Sequence, residues 1–213
     1  MKLHTYFQSS ASYRVRIAMN LKGIAAEYAY HDLSKDKHLD ADYAKINPQK
    51  MVPSLEVKDE VLAQSIAIME YLEEVYPNPA ILPKEPLARA HARAIALLIA
   101  GDISAINNLK IRKFLKAHFG ASDHFVKTQW IQHWIADGFT ALEGFLTRSP
   151  HTGTYCAGEY PTIADCCLVP QMFNARRFEL DLTPYPTIVR ISNACEQLEA
   201  FKKAHPSQQA DAV

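Results

Sequence analysis

Glycine is scarce in this 213-residue chain, with only seven. Together with twelve prolines it makes up about 9% of the residues, against a usual 12% or so. That argues against a many-stranded β protein with a turn every few residues and favours helices. Net charge is also missing: 23 basic and 23 acidic residues cancel, at a pI near 7.1. A chain so balanced has no electrostatic footprint for nucleic acid or an anionic membrane surface, and neither is expected as a partner. Long apolar runs are absent. The longest, Ala94 to Ala100, falls far short of the roughly 20 residues that span a bilayer. The start, Met1-Lys2-Leu3-His4-Thr5-Tyr6, lacks the apolar core of a signal peptide, so a cytoplasmic protein is expected.

Familiar chemical signatures are absent too. Cys156, Cys166, Cys167 and Cys195 show no C-x-x-C spacing, which predicts reduced thiols rather than a disulfide framework. None of the nine histidines stands four residues from another, so no helical metal pair exists and no metal is expected. There is no G-x-G-x-x-G and no G-x-S-x-G. Gly153 and Gly158 have the outer spacing of a phosphate loop, but Glu159-Tyr160 stand where Lys and Ser/Thr belong.

What is present, 48% apolar and 22% charged residues, is ordinary globular material, and the length fits two units. Residues 1–80 alternate short strands and helices. Lys2 to Tyr6 reads as a strand. A helix follows, capped within Ser9-Ser10-Ala11-Ser12, carrying Val15, Ala18 and Met19 and stopped by Gly23. Glu27 to His31 reads as a strand and Asp40 to Ile46 as a short helix. Ser54 to Val57 and Val61 to Ala63 form a hairpin, and a helix runs from Ser65 to Tyr76. The order β-α-β-α-β-β-α predicts a small α/β domain with a mixed sheet. Prolines between Pro77 and Pro86 mark a linker, placed at residues 81–87. From residue 88 the chain reads as all-helical. Ala88 to Phe119 is expected to bend near Gly101 or Asn107-Asn108, and Asp123 to Leu146 forms a second long stretch. Thr162 to Asp165 is a capping box, Thr187 to Lys203 a last helix, and residues 206–213 a disordered tail.

Three features fall at strand ends. Ser9 and Ser10 lie between the first strand and first helix, where exposed N–H groups and the helix dipole favour an anion. Val52-Pro53 enters a strand, a position that suits proline's missing N–H and leaves a cis bond open. Gln64-Ser65 stands at a strand-to-helix junction. The serines also have the plainer reading of helix caps.

The run Ser9-Ser10-Ala11-Ser12-Tyr13-Arg14-Val15-Arg16-Ile17-Ala18 resembles the S-S-C-S-W-R-V-R-I-A signature of zeta-class glutathione transferases. The likeness continues through Asn47-Pro48, Val52-Pro53, Gln64-Ser65, Leu168-Val169-Pro170-Gln171 and Asp181-Leu182-Thr183-Pro184-Tyr185-Pro186, covering nearly the whole chain. It implies a thioredoxin-like domain over residues 1–80, an all-helical domain over 88–213, a homodimer, and glutathione as cofactor. The implied activity is glutathione-dependent cis–trans isomerisation of maleylacetoacetate to fumarylacetoacetate, in aromatic amino-acid catabolism. The substrate is thus a small keto acid with two acidic groups. Alternatives are maleylpyruvate isomerisation, conjugation or dehalogenation of small acids, and a non-catalytic binding module.

The resemblance also implies roles. Ser9 matches the thiol-activating serine and Ser10 its neighbour. Val52 matches the residue whose backbone pairs with the cysteinyl part of glutathione, with Pro53 cis. Gln64 and Ser65 match the pair holding the γ-glutamyl end, while His38 and Gln49 approach the glycyl end. Asp102, Ser104, Asn108 and Lys110 fall in the segment that lines the site wall and reaches across the dimer. Arg176 faces the acidic substrate, with Gln8 and Lys110 beside it and Arg14, Arg16 and Arg177 as further cationic candidates. Three positions depart from the pattern. Ala11 replaces the signature's cysteine, Gln8 stands where many relatives have arginine, and Lys110 where maleylpyruvate isomerase-like relatives have arginine. Each lost guanidinium removes a planar fork for a carboxylate.

Overall fold

The computed structural model describes residues 1–212. They fall into two compact units, Met1–Leu82 together with the segment from Glu196 on, and Pro83–Cys195.

In the first unit, β1 (Lys2–Thr5) leads into α1 (Ser10–Leu21), β2 (Glu27–Tyr30), α2 (Ala41–Ile46), β3 (Ser54–Val57), β4 (Glu60–Ala63) and α3 (Ser65–Val75). This is the expected order. The sheet runs β2-β1-β3-β4, with β1 parallel to β2 and antiparallel to β3, and β3 antiparallel to β4. Leu3 and Leu55 face one another across β1 and β3, and both are fully buried. Every residue of α1 from Ser12 to Met19 is buried, so its pattern is less one-sided than a surface helix would show. Lys22 caps its end and Gly23, at φ +65°, turns the chain where a side chain would be strained. Lys58, at φ +54°, turns the β3–β4 hairpin.

The chain after α3 is fastened back onto the unit by a buried ion pair. The Lys22 ammonium, wholly buried, donates to Glu73 Oε2 at 2.6 Å and to the Tyr76 and Pro79 carbonyls at 2.7 and 3.0 Å. The same carboxylate accepts from the Ile81 and Leu82 N–H groups. Both Val52–Pro53 and Asn78–Pro79 are cis.

The second unit is helical: α4 (Pro86–Leu97), α5 (Leu109–Phe119), α6 (Asp123–Phe125), α7 (Gln132–Arg148), α8 (Ile163–Arg177) and α9 (Pro186–Glu196, its last residue beyond the unit). The expected bend of the first long stretch is a π-helical turn, Leu98–Ile103, followed by a break ending at Asn108. A second π turn, Val126–Ile131, joins α6 to α7. Gly138 admits a close approach here, since a Cβ would lie 2.3 Å from Ile103 Cγ1. The central helix α8 is buried over Ile163–Met172, and its start is the expected capping box. Asp165, fully buried, accepts from Thr162 N at 2.7 Å and Cys156 N at 2.9 Å.

Three expectations need correcting. The last helix is not continuous: α9 ends at Glu196 and α10 (Glu199–Ala204) restarts, because the chain extends at Leu198. From Glu196 on, the chain belongs to the first unit rather than to the helical one. Residues 206–212 are not disordered. Pro206–Gln208 form a 3-10 turn, and Asp211 Oδ2 accepts from Phe7 N at 2.9 Å. Val213 lies outside the described residues.

Glu73→Ala is expected to destabilise the protein by about 3–5 kcal/mol, because it leaves a buried ammonium uncompensated. Asp42→Asn, which breaks the exposed Lys45 pair, is expected to leave the urea midpoint where it is. Equal midpoints for the two variants would contradict the role given to Lys22 and Glu73.

Candidate active site

Because β1, β2 and β4 run one way and β3 the other, four chain segments meet at one sheet edge. They are the loop leaving β1, the loop leaving β2, the segment entering β3 and the turn leaving β4. The register sets His4 opposite Ser54 and Ser54 opposite Ala63. Gln8, Ser9 and Ser10, His31 to His38, Val52-Pro53, and Gln64-Ser65 therefore share that edge.

Ser9 is the N-cap of α1, and its Oγ accepts from Ser12 N at 3.2 Å. Capping uses a lone pair and leaves the hydroxyl proton, which no described residue accepts. The plain reading and the chemical one are therefore compatible. Ser10 opens the helix with a half-buried side chain. Gln64 holds φ +70°, a conformation costly for a non-glycine residue and often found at functional sites. Its exposed side chain donates to Gln49 Oε1 at 2.9 Å. Ser65 Oγ accepts from Arg14 at 3.3 Å, and both residues are buried. The Met51 carbonyl is pinned by Tyr43 Oη and Asn47 Nδ2, whereas the backbone N–H and C=O of Val52 pair with no described residue. An unpaired backbone at the entrance to a strand is the form of a peptide-docking edge.

A cleft of about 600 Å³ opens alongside, lined by Tyr6, Phe7, Tyr30, His31, Tyr43 and Asp211 among others. His31 Nε2 lies 2.8 Å from His4 Nδ1, and His4 Nε2 lies 2.5 Å from Glu56 Oε1. Tyr43 stacks on His31 at 4.1 Å between ring centroids. Burial, reinforced by His4 and His38 and opposed by Asp40, pulls His31 down to about 4. His38 sits half-buried in the 3-10 turn Lys37–Leu39.

Arg16 is no substrate contact. It is 1% exposed, burial draws it down to about 10, and it donates to the backbone carbonyls of Tyr6, Phe7 and Ala204 and to Thr5 Oγ1. Arg14 is likewise taken up inside the first unit against Ser65.

In the helical unit Asp102 lies exposed in the first π turn, an irregularity common at functional sites. Ser104 Oγ donates to Gln171 Oε1 at 3.1 Å. Asn108 caps α5 by accepting from Lys110 N at 3.0 Å, and Lys110 itself is exposed. Arg176, exposed in the last turn of α8, donates to Asn193 Oδ1 at 3.2 Å. A cationic neighbour escaped the sequence reading. Arg112 and Arg177 both stack on the Phe178 ring, at 5.8 and 5.5 Å, and burial followed by Arg177 lowers the Arg112 pKa. The only signal for it was a basic residue two positions after Lys110.

Residues 8–75 match the glutathione S-transferase N-terminal domain. The maleylpyruvate isomerase of a Ralstonia species is 45% identical over 100% of both chains. The holo structure of a bacterial zeta-class maleylpyruvate isomerase superposes with a TM-score of 0.97, at 45% identity and full coverage of both chains. A maleylacetoacetate isomerase from Methylobacterium extorquens, solved with bound malonate and glutathione, gives 0.97 at 36% identity, again with full coverage of both. The class is glutathione S-transferase. This chain belongs to its zeta family, that of the maleylpyruvate and maleylacetoacetate isomerases.

His31 makes a pH prediction. Its folded pKa of about 4 lies below the ordinary 6.5, so between those values the unfolded chain binds more protons and stability rises with pH. His31→Phe, which keeps a ring against Tyr43, is expected to flatten the urea midpoint's rise from pH 4 to 6.5. An unaltered slope would count against it.

Proposed function

We propose that this protein isomerises maleylacetoacetate to fumarylacetoacetate with glutathione as cofactor. The observation that carries the reading is the convergence, on one sheet edge, of a capping serine with an uncommitted hydroxyl proton, an unpaired Val52 backbone and the Gln64-Ser65 turn. These residues fit a γ-glutamyl tripeptide. The Val52 N–H and C=O would hold the cysteinyl unit as an added strand, and Gln64, Ser65 and the N-terminus of α3 its γ-glutamyl carboxylate. His38 and Gln49 stand toward the glycyl end. The glutathione in the Methylobacterium relative supports the cofactor, and its malonate supports a dicarboxylate substrate.

Bound glutathione supplies the thiolate that adds to the cis double bond and leaves once that bond has rotated. A thiol of pKa about 8.5 is only about 3% ionised at pH 7. Lowering it by two units requires about 2.7 kcal/mol. The Ser9 hydroxyl provides a charge-assisted donor, and the N-terminus of α1, beginning at Ser10, adds its positive end. Ser10 stays a second hydroxyl at that helix start. Arg176 is the group assigned to a substrate carboxylate, with Lys110 and Gln8 as weaker contacts and Asp102, Ser104 and Asn108 as the wall segment.

Maleylpyruvate is the second reading, favoured by the 45% identity to the Ralstonia enzyme. Gln8 and Lys110, which replace arginines, stand against it. The homodimer and the cytoplasmic location belong to the same proposal. Among the described residues no helix is long and apolar enough to cross a membrane.

A spectrophotometric assay with maleylacetoacetate is expected to show turnover only when glutathione is added. Ser9→Ala is expected to lower kcat about ten- to a hundredfold, the worth of one hydrogen bond to a charged group. Turnover without glutathione would overturn the reading, and full activity in Ser9→Ala would overturn the role of the hydroxyl. Gln8→Arg is expected to lower KM for the dicarboxylate by restoring a planar fork. A KM that stays level or rises would remove Gln8 from the carboxylate's surroundings.

A further inference from the structure

The loop that carries Ser9 is held from outside by the C-terminal end of the chain. Tyr6 O accepts from Ser9 N at 3.0 Å, closing the turn that sets Ser9 at the cap of α1. The same carbonyl accepts from Arg16 Nη1 at 3.3 Å, and Phe7 O accepts from Arg16 Nη2 at 3.0 Å. Arg16 in turn donates from Nε to Ala204 O at 3.2 Å, so one guanidinium bridges this loop and the end of α10. A further polar group of the loop is the Phe7 N–H. Phe7 is only 6% exposed, and the acceptor the described residues offer its N–H is Asp211 Oδ2, at 2.9 Å. An amide buried this deeply is left desolvated and unpaired if its acceptor is removed.

The segment reaching Asp211 is itself tied down. Gln209 Nε2 donates to the Lys203 and His205 carbonyls, both at 3.0 Å, and Ala212 N donates to Gln209 O at 3.0 Å. His205 lies edge-on to Tyr13, one turn into α1, at 6.2 Å. The strap thus touches the helix that Ser9 caps as well as the loop before it. The titratable groups around the loop are Asp211 of the strap, Arg16 of α1 and Tyr28 and Tyr30 of β2, and none of them contacts Ser9 itself.

We infer that Asp211 is a positioning residue for the reaction: by accepting the Phe7 N–H, the C-terminal strap holds the turn that aims the Ser9 hydroxyl. This rests on the glutathione-dependent reading given above. The hydrogen bond, rather than the charge, carries the effect, because Asp211 acts through the backbone two residues before Ser9. Asn at this position keeps an acceptor oxygen, whereas Ala removes it.

The test compares Asp211→Ala, Asp211→Asn and a chain ending at Ala210, each first shown to melt cooperatively. In ligand-free protein, the Phe7 amide is expected to exchange with deuterium at least tenfold faster in Asp211→Ala and in the shortened chain, and within about threefold of wild type in Asp211→Asn. With glutathione added, thiolate absorbance against pH is expected to give a higher thiol pKa in Asp211→Ala. Its kcat is expected to fall about three- to tenfold with KM for glutathione within twofold, and Asp211→Asn is expected to restore both. Unaltered Phe7 exchange in Asp211→Ala would overturn the strap. Faster exchange with unmoved thiol pKa and kcat would overturn its link to Ser9. If wild type binds glutathione without turnover, the exchange and absorbance arms still decide the inference while the isomerase reading fails.

Discussion

The buried guanidinium of Arg16 is the constraint on which the first unit depends. It sits at 1% exposure with no carboxylate of the described residues bonded to it, and its donors go to Thr5, Tyr6, Phe7 and Ala204 instead. Burying an arginine is costly, and burial has drawn its pKa down to about 10. That cost is tolerable only if the donors find fixed acceptors, so the end of β1, the loop after it and the end of α10 are held at one place. The Lys22–Glu73 pair serves the other side of α1 in the same way, fastening the chain after α3. Arg16 within α1 and Lys22 at its C-cap, both donating to main-chain carbonyls, orient the helix that Ser9 caps.

Chemistry is then a consequence of topology. Parallel β1 and β2, with the antiparallel β3–β4 hairpin beside them, bring two helix N-termini and an unpaired strand entrance to one edge. Backbone donors and helix dipoles can favour an anion without any net positive charge. This is why a chain with equal numbers of acidic and basic residues can serve acidic ligands. The zero balance rules out a broad basic surface and says nothing about a local site.

Much of the first unit was legible because its signals are local. Short strands flanked by turn residues and Gly23 as a stop follow from backbone chemistry within a few residues, as the Thr162–Asp165 box does in the second unit, and the elements from β1 to α3 lie within a residue or two of the expected bounds. The serines could be placed at a helix start, but the sequence could not show that capping leaves the Ser9 proton uncommitted, since that depends on Ser12 N being its partner among the described residues. The tail was misread for a related reason. Residues 206–212 are mostly polar and look solvated, and the long-range partner that fastens them, the Phe7 N–H for Asp211, lies outside any local pattern. Arg14 and Arg16 are cationic candidates for the acidic substrate by sequence alone, because arginine in a helix is seldom buried. Their acceptors lie up to 188 positions away in the chain, beyond any local pattern. The π turns at Leu98–Ile103 and Val126–Ile131 escaped as well, since an added residue per turn leaves composition unchanged.

The central claim is that the edge residues hold glutathione with its sulfur at Ser9. A crystal structure of the protein with glutathione bound tests it most directly. The account predicts the sulfur within hydrogen-bond reach of Ser9 Oγ, the cysteinyl backbone paired with Val52, and the γ-glutamyl end on Gln64 and Ser65. Glutathione seated elsewhere, or lying on this edge with its sulfur turned away from Ser9, would contradict it.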